Sequence, residues 1–281
     1  MARYASRVSE TLEGLLGRGS VVVLTGAGVS TASGIPDYRD DEGAWKHKKP
    51  MEFREFTGSV LARQRYWARS LVGFSRIGEA RPNSAHTALT ALERSGLVDL
   101  VITQNVDGLH QAAGSERVVD LHGRIDRVTC LGCREKSLRR ELQQKLAELN
   151  PAFLSLAASI TPDGDAELGS VDYAEFRLLD CERCGGILKP DVVFFGENVP
   201  RIDVDRSMAA LEAARSLLIV GSSLMVFSGF RFARAAHKKS LAIAVVNRGR
   251  TRADDMAALK LSGDAGEILT RASQGLDHSR S

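Results

Sequence analysis

Apolar residues recur along this chain with two different periods. Val8, Leu12, Leu15 and Leu16 fall on one helical face and stop at Gly17 and Gly19, after which Val21 to Leu24 forms a continuous run of the length of a buried strand. Comparable runs stand at Leu97 to Ile102, Val118 to Leu121, Val192 to Phe195, Leu217 to Val220 and Leu241 to Val246. Between them, His86 to Arg94, Met208 to Arg215 and Phe230 to Lys238 carry helical spacing. This alternation predicts a doubly wound α/β core, a parallel sheet covered on both faces. Two stretches break the rhythm. Residues 45–82, with Tyr66, Trp67 and Phe74, read as a helical insertion, and residues 127–188 contain a helix pattern over Ser137 to Leu149 closed by Asn150-Pro151, then a turn-rich acidic loop at Thr161 to Asp165. The expected organisation is one domain over 1–275, its core built from about 3–44, 83–126 and 189–272, with a disordered tail at 276–281.

Composition narrows the class. With 281 residues the chain can bury a core without disulfide staples, and 38 basic against 35 acidic side chains leave a formal charge of only +3. That balance gives no reason to expect nucleic acid or a membrane surface as partner. Nor does any apolar run reach the length of a bilayer span, and Met1 to Ser20 is a polar amphipathic stretch rather than a signal peptide. The expected location is the cytoplasm. In a reducing compartment a patterned set of cysteines shifts toward metal binding or catalysis.

All four cysteines lie in the second interrupting stretch, as Cys130-x2-Cys133 and Cys181-x2-Cys184. Each pair can present two thiolates to one tetrahedral Zn²⁺. Two disulfides or four buried thiols are the competing readings, but buried free cysteines have no reason to cluster as two x2 pairs. The gap between the pairs exceeds the usual ribbon spacing of about 15–20 residues, as a ribbon with an inserted helix and loop would require. Four cysteine ligands leave no open coordination position, so one structural ion is expected.

Ligands of open α/β sheets bind beyond the carboxyl ends of the strands. Here those ends read Thr25-Gly26-Ala27-Gly28, Thr103-Gln104-Asn105-Val106-Asp107, His122-Gly123, Gly196-Glu197-Asn198, Gly221-Ser222-Ser223 and Asn247-Arg248-Gly249. Any one of these would be an ordinary loop; together they favour one large ligand site. The glycine-rich turn from Gly26 through Ser30 to Gly34 would let the backbone approach a pyrophosphate. Its spacing departs from G-x-G-x-x-G, and Ile35 to Asp40 replaces the expected second strand and terminal acid, so an ordinary nicotinamide dehydrogenase fits poorly. His122 ends a strand beside that site, where an imidazole of ordinary pKa near ~6.5 can act as a general base. The other histidines lack that combination; His237, for instance, sits at a Lys-rich helix end.

Gly26 to Arg39, Thr103 to Asp107, Leu121-His-Gly123, the two Cys pairs, Val192 to Glu197, Gly221-Ser-Ser223 and Asn247 together resemble the sirtuins, the NAD-dependent protein-lysine deacylases. The resemblance covers nearly the whole chain. The region from Pro151, Thr161 to Asp165 and Cys181 to Asp191 is similar to the class II branch, and without a transit peptide the chain looks like a bacterial member.

The resemblance implies a Rossmann-like catalytic domain carrying a zinc module over 127–188, NAD⁺ at the sheet switch point, and an acyl-lysine protein substrate entering between the two. It implies that Gly26, Ala27, Gly28 and Ser30 hold the pyrophosphate through backbone amides, and that Asp37, Tyr38 and Arg39 order a cofactor loop. Gly221, Ser222, Ser223, Asn247, Arg248, Gly249 and Ala265 would line the adenosine half. Gln104, Asn105, Val106 and Asp107 would surround nicotinamide and its ribose, Asn105 and Asp107 sharing the catalytic centre with His122. The acyl oxygen would attack the ribose carbon as nicotinamide leaves, giving an alkylamidate, and His122 would then activate a ribose hydroxyl that takes the acyl group. Val193, Gly196, Glu197 and the segment from Leu224 to Phe227 would pair with the peptide as an added strand. Tyr66-x-x-Arg69 has the spacing of a phenol and guanidinium pair that reads acidic acyl groups, so acyl chains larger than acetyl are expected as substrates; packing by Tyr66 and a solvated Arg69 is the other reading.

The competing function is protein mono-ADP-ribosyl transfer. A nucleic-acid module fits less well, because Arg127, Arg134, Arg139 and Arg140 are interleaved with Glu135 and Glu141 and lack an aromatic stripe. A monomer is expected.

Overall fold

The computed structural model describes residues 11–46, 50–156, 159–160, 166–168 and 171–278. Helix α1 (Leu12–Gly17) starts at Thr11, whose hydroxyl accepts the Gly14 N–H at 3.1 Å, and it buries Leu12, Leu15 and Leu16. Val8 lies outside the described residues. Strand β1 (Val21–Thr25) follows, buried along its whole length. Val21 and Val23 join the α1 leucines on one face of the sheet while Val22 and Leu24 join the core on the other, the period-2 signature of a strand covered on both sides.

Further along come α2 (Phe53–Gly58), α3 (Val60–Glu79), α4 (Ser84–Arg94), β2 (Val98–Thr103), the single turn α5 (Leu109–Ala112) and β3 (Val118–Asp120). A second lobe then interrupts the core: β4 (Gly123–Cys130), β5 (Lys136–Leu138), α6 (Arg139–Leu149), α7 (Pro151–Leu154), the two-residue strands β6 (Ser159–Ile160) and β7 (Ala166–Glu167), and β8 (Leu188–Val192). The core resumes with α8 (Arg201–Ala213), β9 (Ser216–Val220), α9 (Phe227–Lys238), β10 (Ala242–Val246), β11 (Leu259–Leu261) and α10 (Ala265–His278). Among the described residues, no helix is long and apolar enough to cross a membrane.

Six strands form a parallel sheet in the order β11-β10-β9-β1-β2-β3. From β1 the chain steps outward through β2 to β3, and the later strands build the other half, so the direction of winding reverses between β1 and β9. That crevice is where such sheets bind ligands. Helices α1, α4 and α10 cover one face and α8 and α9 the other.

Four expectations change. The helix predicted over Ser137 to Leu149 begins at Arg139, because Ser137 and Leu138 pair with Val128 and Arg127 as an edge strand. The run Val192 to Phe195 is not a strand of the main sheet: only Val192 is in a strand, β8, which pairs antiparallel with β4, and the rest lines a cavity outside any strand, Phe195 making an isolated parallel bridge with Glu52. Phe194 is buried against Phe56 and Tyr66 of the insertion and Phe195 meets Trp45, an apolar environment that sequence alone renders as strand. Helix α10 continues to His278 and buries Leu276, so the expected tail is helical at its start; residues 279–281 and the loop Thr161 to Asp165 lie outside the described residues. Trp45, placed in the helical insertion, instead forms a β-bridge with Arg39.

The insertion and the cysteine-bearing segment share one core. Phe56, Tyr66, Trp67 and Leu71 pack with Val128, Leu142, Leu146, Phe153, Phe176 and Phe194. Arg139 is fully buried between them, its guanidinium over the rings of Trp67 and Phe74 at 5.1 and 4.5 Å.

Candidate active site

A cavity of about 990 Å³ opens beyond the carboxyl ends of β1 and β9 and runs to the second lobe. Its floor is a backbone cradle. Gly28 N–H donates to the Gly221 carbonyl at 2.8 Å and Gly26 N–H to that of Val220 at 3.1 Å, locking the two turns together. Gly221 has φ +60°, and a Cβ there would stand 2.4 Å from the Val29 nitrogen, so only glycine lets the strand ends meet. Asn83 fastens the same turn from the side: its amide Nδ2 donates to the Val29 carbonyl at 2.8 Å and to Ser33 Oγ at 2.9 Å while its Oδ1 caps α4. The Gly26, Gly28 and Ser30 N–H groups are engaged within the chain, Ser30 donating to the Ala27 carbonyl at 3.0 Å, and of the four expected pyrophosphate residues only Ala27 has an N–H with no partner among the described residues.

A polar network stands behind the cradle. Asn105 Nδ2 donates to Ser30 Oγ at 3.0 Å, and Ser30 Oγ donates to Asp107 Oδ2 at 2.7 Å. The other Asp107 oxygen accepts the Leu109 N–H at 2.9 Å. The Asn105 N–H donates to Thr103 Oγ1, which also accepts from Thr25 Oγ1 at 2.9 Å. With its proton given to Thr103, Thr25 Oγ1 must accept from His110 Nε2, 3.0 Å away. His110 is therefore the Nε2–H tautomer, leaving Nδ1 as an acceptor. The neighbouring His86, ring centroid 4.9 Å away, accepts the Asn83 N–H at Nδ1 and so carries its proton on Nε2. Both imidazoles are buried and both are neutral.

Burial pushes His110 down to about 3, with His86 adding to the shift, and burial lowers His86 as well. Between an unfolded value near 6.5 and about 3, the unfolded chain binds a proton at His110 that the folded chain refuses, so stability falls as pH falls through this window. At pH 5 the loss from His110 alone is about 2 kcal/mol. Urea titrations at pH 7 and pH 5 should show it as part of a lower midpoint at pH 5, shared with the equally buried His122, and a His110→Asn variant should lose only the share due to His110.

His122 ends the turn between β3 and β4. Its Nδ1 lies 2.9 Å from the Gln104 carbonyl, which can only accept, so the proton sits on Nδ1. Nε2 keeps its lone pair, directed at Ser228 Oγ 2.7 Å away. Burial drives the imidazole down to about 4; the Gln104 bond opposes this and the nearby Arg231 adds to it. The ring is neutral throughout the physiological range and presents a proton-accepting nitrogen to the cavity. Gly123, with φ +78°, lets β4 leave at once, since a Cβ there would lie 2.0 Å from the Asp191 carbonyl oxygen.

The facing wall comes from the end of β8. The Val193 N–H donates to the His122 carbonyl at 2.8 Å, tying wall to base. Glu197 lines the cavity, but its carboxylate turns back to accept the Phe194 N–H at 3.0 Å and the buried Lys189 ammonium at 3.1 Å. On the opposite side Asn247 Nδ2 donates to the Gly249 carbonyl, Arg248 pairs with Asp264 at 3.1 Å, and Arg250 N–H donates to the Asp41 carbonyl at 2.7 Å, holding the 37–46 loop over the crevice. Arg39 in that loop stacks on Trp45 at 3.9 Å, and Trp45 meets Phe195 edge-on.

In the second lobe the four cysteine sulfurs all lie within 4.8 Å of one another, with Cys130–Cys184 at 3.5 Å and Cys133–Cys181 at 3.7 Å. A tetrahedron with Zn–S bonds of ~2.3 Å has sulfurs about 3.8 Å apart, so the set fits one zinc ion. Disulfide bonding at ~2.05 Å does not fit. The Cys133 N–H, donating to Cys130 Sγ, is the largest influence lowering that thiol to about 6, toward the thiolate that binds metal.

The Sir2 family profile matches residues 26–228 of the chain. The chain belongs to the Sir2 family. It is 55% identical over 267 residues to an NAD-dependent protein deacetylase of Bordetella bronchiseptica, covering 94% of this chain and 97% of that protein. It is likewise 55% identical over 255 residues to an NAD-dependent protein deacetylase of Xanthomonas campestris pv. campestris, covering 91% of this chain and 87% of the relative. Among solved structures, a Sir2 homologue in complex with NAD superposes with a TM-score of 0.75 at 28% identity, over 100% of this chain and 98% of the other. Sir2 with a p53 peptide and NAD⁺ gives 0.73 at 30% identity, over 95% and 97%.

In this Sir2 protein every residue expected at the cofactor or the base lines the one cavity, from Gly26 to Ala265, as do Val193, Gly196, Glu197, Leu224 and Tyr66. Arg69 does not. Tyr66 is buried in an aromatic cluster with Phe56, Trp67 and Phe194, while the half-buried Arg69 is not among the residues of the cavity wall. Sequence reading missed Ser228 and Arg231, both in the wall. Arg231 offers a guanidinium over the Phe227 ring at 5.3 Å, and its Nε has no hydrogen-bond partner among the described residues. Its i,i+4 spacing from Phe227 was readable; its proximity to His122 was not.

Proposed function

We propose that this protein is an NAD-dependent protein-lysine deacetylase with His122 as general base. The observation that carries this reading is the neutral imidazole whose unprotonated Nε2 faces a cavity floored by the Gly26–Gly28 and Gly221 cradle. NAD⁺, when bound, supplies an electrophilic ribose carbon and a hydroxyl on the same sugar that takes up the acyl group. Ala27 N–H would hold the pyrophosphate, and the Asn105–Ser30–Asp107 network would fix polar groups around the nicotinamide end. Asn247, Arg248 and Ala265, which line the cavity, would border the adenosine end. His122 Nε2 takes the hydroxyl proton, and the Gln104 carbonyl stabilises the resulting imidazolium at Nδ1. Peptide main chain lies between the Val193–Glu197 wall and the Leu224–Phe227 segment, so many sequences can be accepted. Cys130, Cys133, Cys181 and Cys184 hold one structural zinc that takes no part in bond making.

Acyl groups larger than acetyl belong to the same reading. The apolar wall of Tyr66 and Phe194 supports it, and the positive charge of Arg231, which lines the cavity, suits a carboxylated chain. The test is incubation with NAD⁺ and a panel of acetyl-, long-acyl- and acidic-acyl-lysine peptides, with products followed by mass spectrometry. Nicotinamide, acyl-ADP-ribose and free lysine peptide are expected in equal amounts. An ADP-ribose adduct on protein without acyl-ADP-ribose would sink the deacetylase assignment in favour of ADP-ribosyl transfer. Acetyl peptide outperforming every larger acyl peptide by a wide margin would remove the size preference alone.

A further inference from the structure

A neutral imidazole has a single lone pair, in the plane of its ring, and at His122 that lone pair is already taken. Nδ1 is committed to the Gln104 carbonyl at 2.9 Å, and Nε2 accepts from Ser228 Oγ at 2.7 Å. A substrate hydroxyl can therefore reach the base only by displacing Ser228 or by acting through it. Ser228 is built to stay. It sits in the first turn of α9, and the next residue, Gly229, is pressed so closely on Gln104 that a Cβ there would lie 2.5 Å from the amide Nε2. Gln104 is held in turn by Ser222 Oγ donating to its Oε1 at 2.6 Å. One residue thus fixes both the ring and the helix start that carries the hydroxyl. Ser228 lines the cavity, is only 9% exposed, and its Oγ makes no other hydrogen bond among the described residues, so its acceptor lone pairs remain for an incoming O–H.

We propose that Ser228 is a catalytic residue that relays the proton from the substrate hydroxyl to His122. The reading rests on His122 as general base. The hydroxyl O–H bond of the substrate breaks and its proton forms a bond to Ser228 Oγ. The original Ser228 O–H bond breaks, and that proton passes to Nε2. The serine ends as it began, the imidazole becomes imidazolium, and the deprotonated substrate oxygen is the nucleophile. Two protons move in one step, and no group other than the substrate and these two side chains changes its bonding.

The experiment is single-turnover conversion of an acetyl-lysine peptide at saturating NAD⁺ in mixtures of H₂O and D₂O. Wild type, Ser228→Ala, Ser228→Thr and His122→Ala are compared, with zinc content and NAD⁺ affinity checked for each. The expected wild-type proton inventory is bowed, as two moving protons require. Ser228→Ala should be slower by at least about tenfold with a linear inventory, and Ser228→Thr, which restores the hydroxyl, should return to within about threefold of wild type. An alanine variant as fast as wild type or faster would overturn the relay, showing that the hydroxyl is merely pushed aside. So would a linear wild-type inventory, which needs no variant to fold. Should His122→Ala retain near wild-type conversion, the general-base reading itself falls, a result distinct from failure of Ser228 alone.

Discussion

Replacing His122 with alanine is expected to slow acetyl transfer from peptide to ADP-ribose by at least about a hundredfold, the lower end of what a positioned general base contributes. The loss follows from geometry. The Gln104 carbonyl fixes the tautomer, burial keeps the ring neutral, and among the described residues no other imidazole lines the cavity to take over its nitrogen. NAD⁺ affinity should change far less, because the glycine cradle and the loops at Asn247 and Ala265 lie along other walls. The measurement is turnover of an acetyl-lysine peptide beside a calorimetric titration of NAD⁺; near wild-type turnover would overturn the role given to His122.

Stripping the zinc, by a strong chelator or by Cys184→Ala, is expected to melt the second lobe and to abolish deacetylation while the parallel sheet survives. Structural zinc in small modules contributes about 10–16 kcal/mol, as much as the whole stability of a typical domain. Strand β8 explains why activity should follow. One end of it follows the Cys181–Cys184 knuckle and the other becomes the Val193 wall that bonds the His122 carbonyl. Metal analysis should fall from one zinc per chain toward none, with an added low-temperature transition in calorimetry. A chelated protein with unchanged turnover would contradict this.

Much of this was legible in the chain. Buried strands announce themselves as short apolar runs, and the glycine turns and x2 cysteine pairs are local spacings, so sheet, cradle and zinc ligands could be read directly. Val192 to Phe195 misled because an apolar run does not by itself mean sheet membership, and here it forms a cavity wall in which only Phe194 is buried. The i,i+3 spacing of Tyr66 and Arg69 puts two side chains on one side of a helix without saying what that side meets, and of the two only Tyr66 lines the cavity. Ser228 was invisible: its meaning depends on a partner 106 positions earlier in the chain.

The aromatic cluster uniting Phe56 to Leu71 with Val128 to Phe194 also constrains the order in which the molecule assembles. Its two halves are contributed from opposite sides of α4, β2 and β3, so they are brought within reach only once those elements have docked on the sheet. Loop-closure entropy makes such distant pairings late events. The sheet should therefore form first and the second lobe condense onto it, and a fragment spanning only the cysteine segment, lacking the insertion's half of the cluster, should not fold on its own even with zinc in excess.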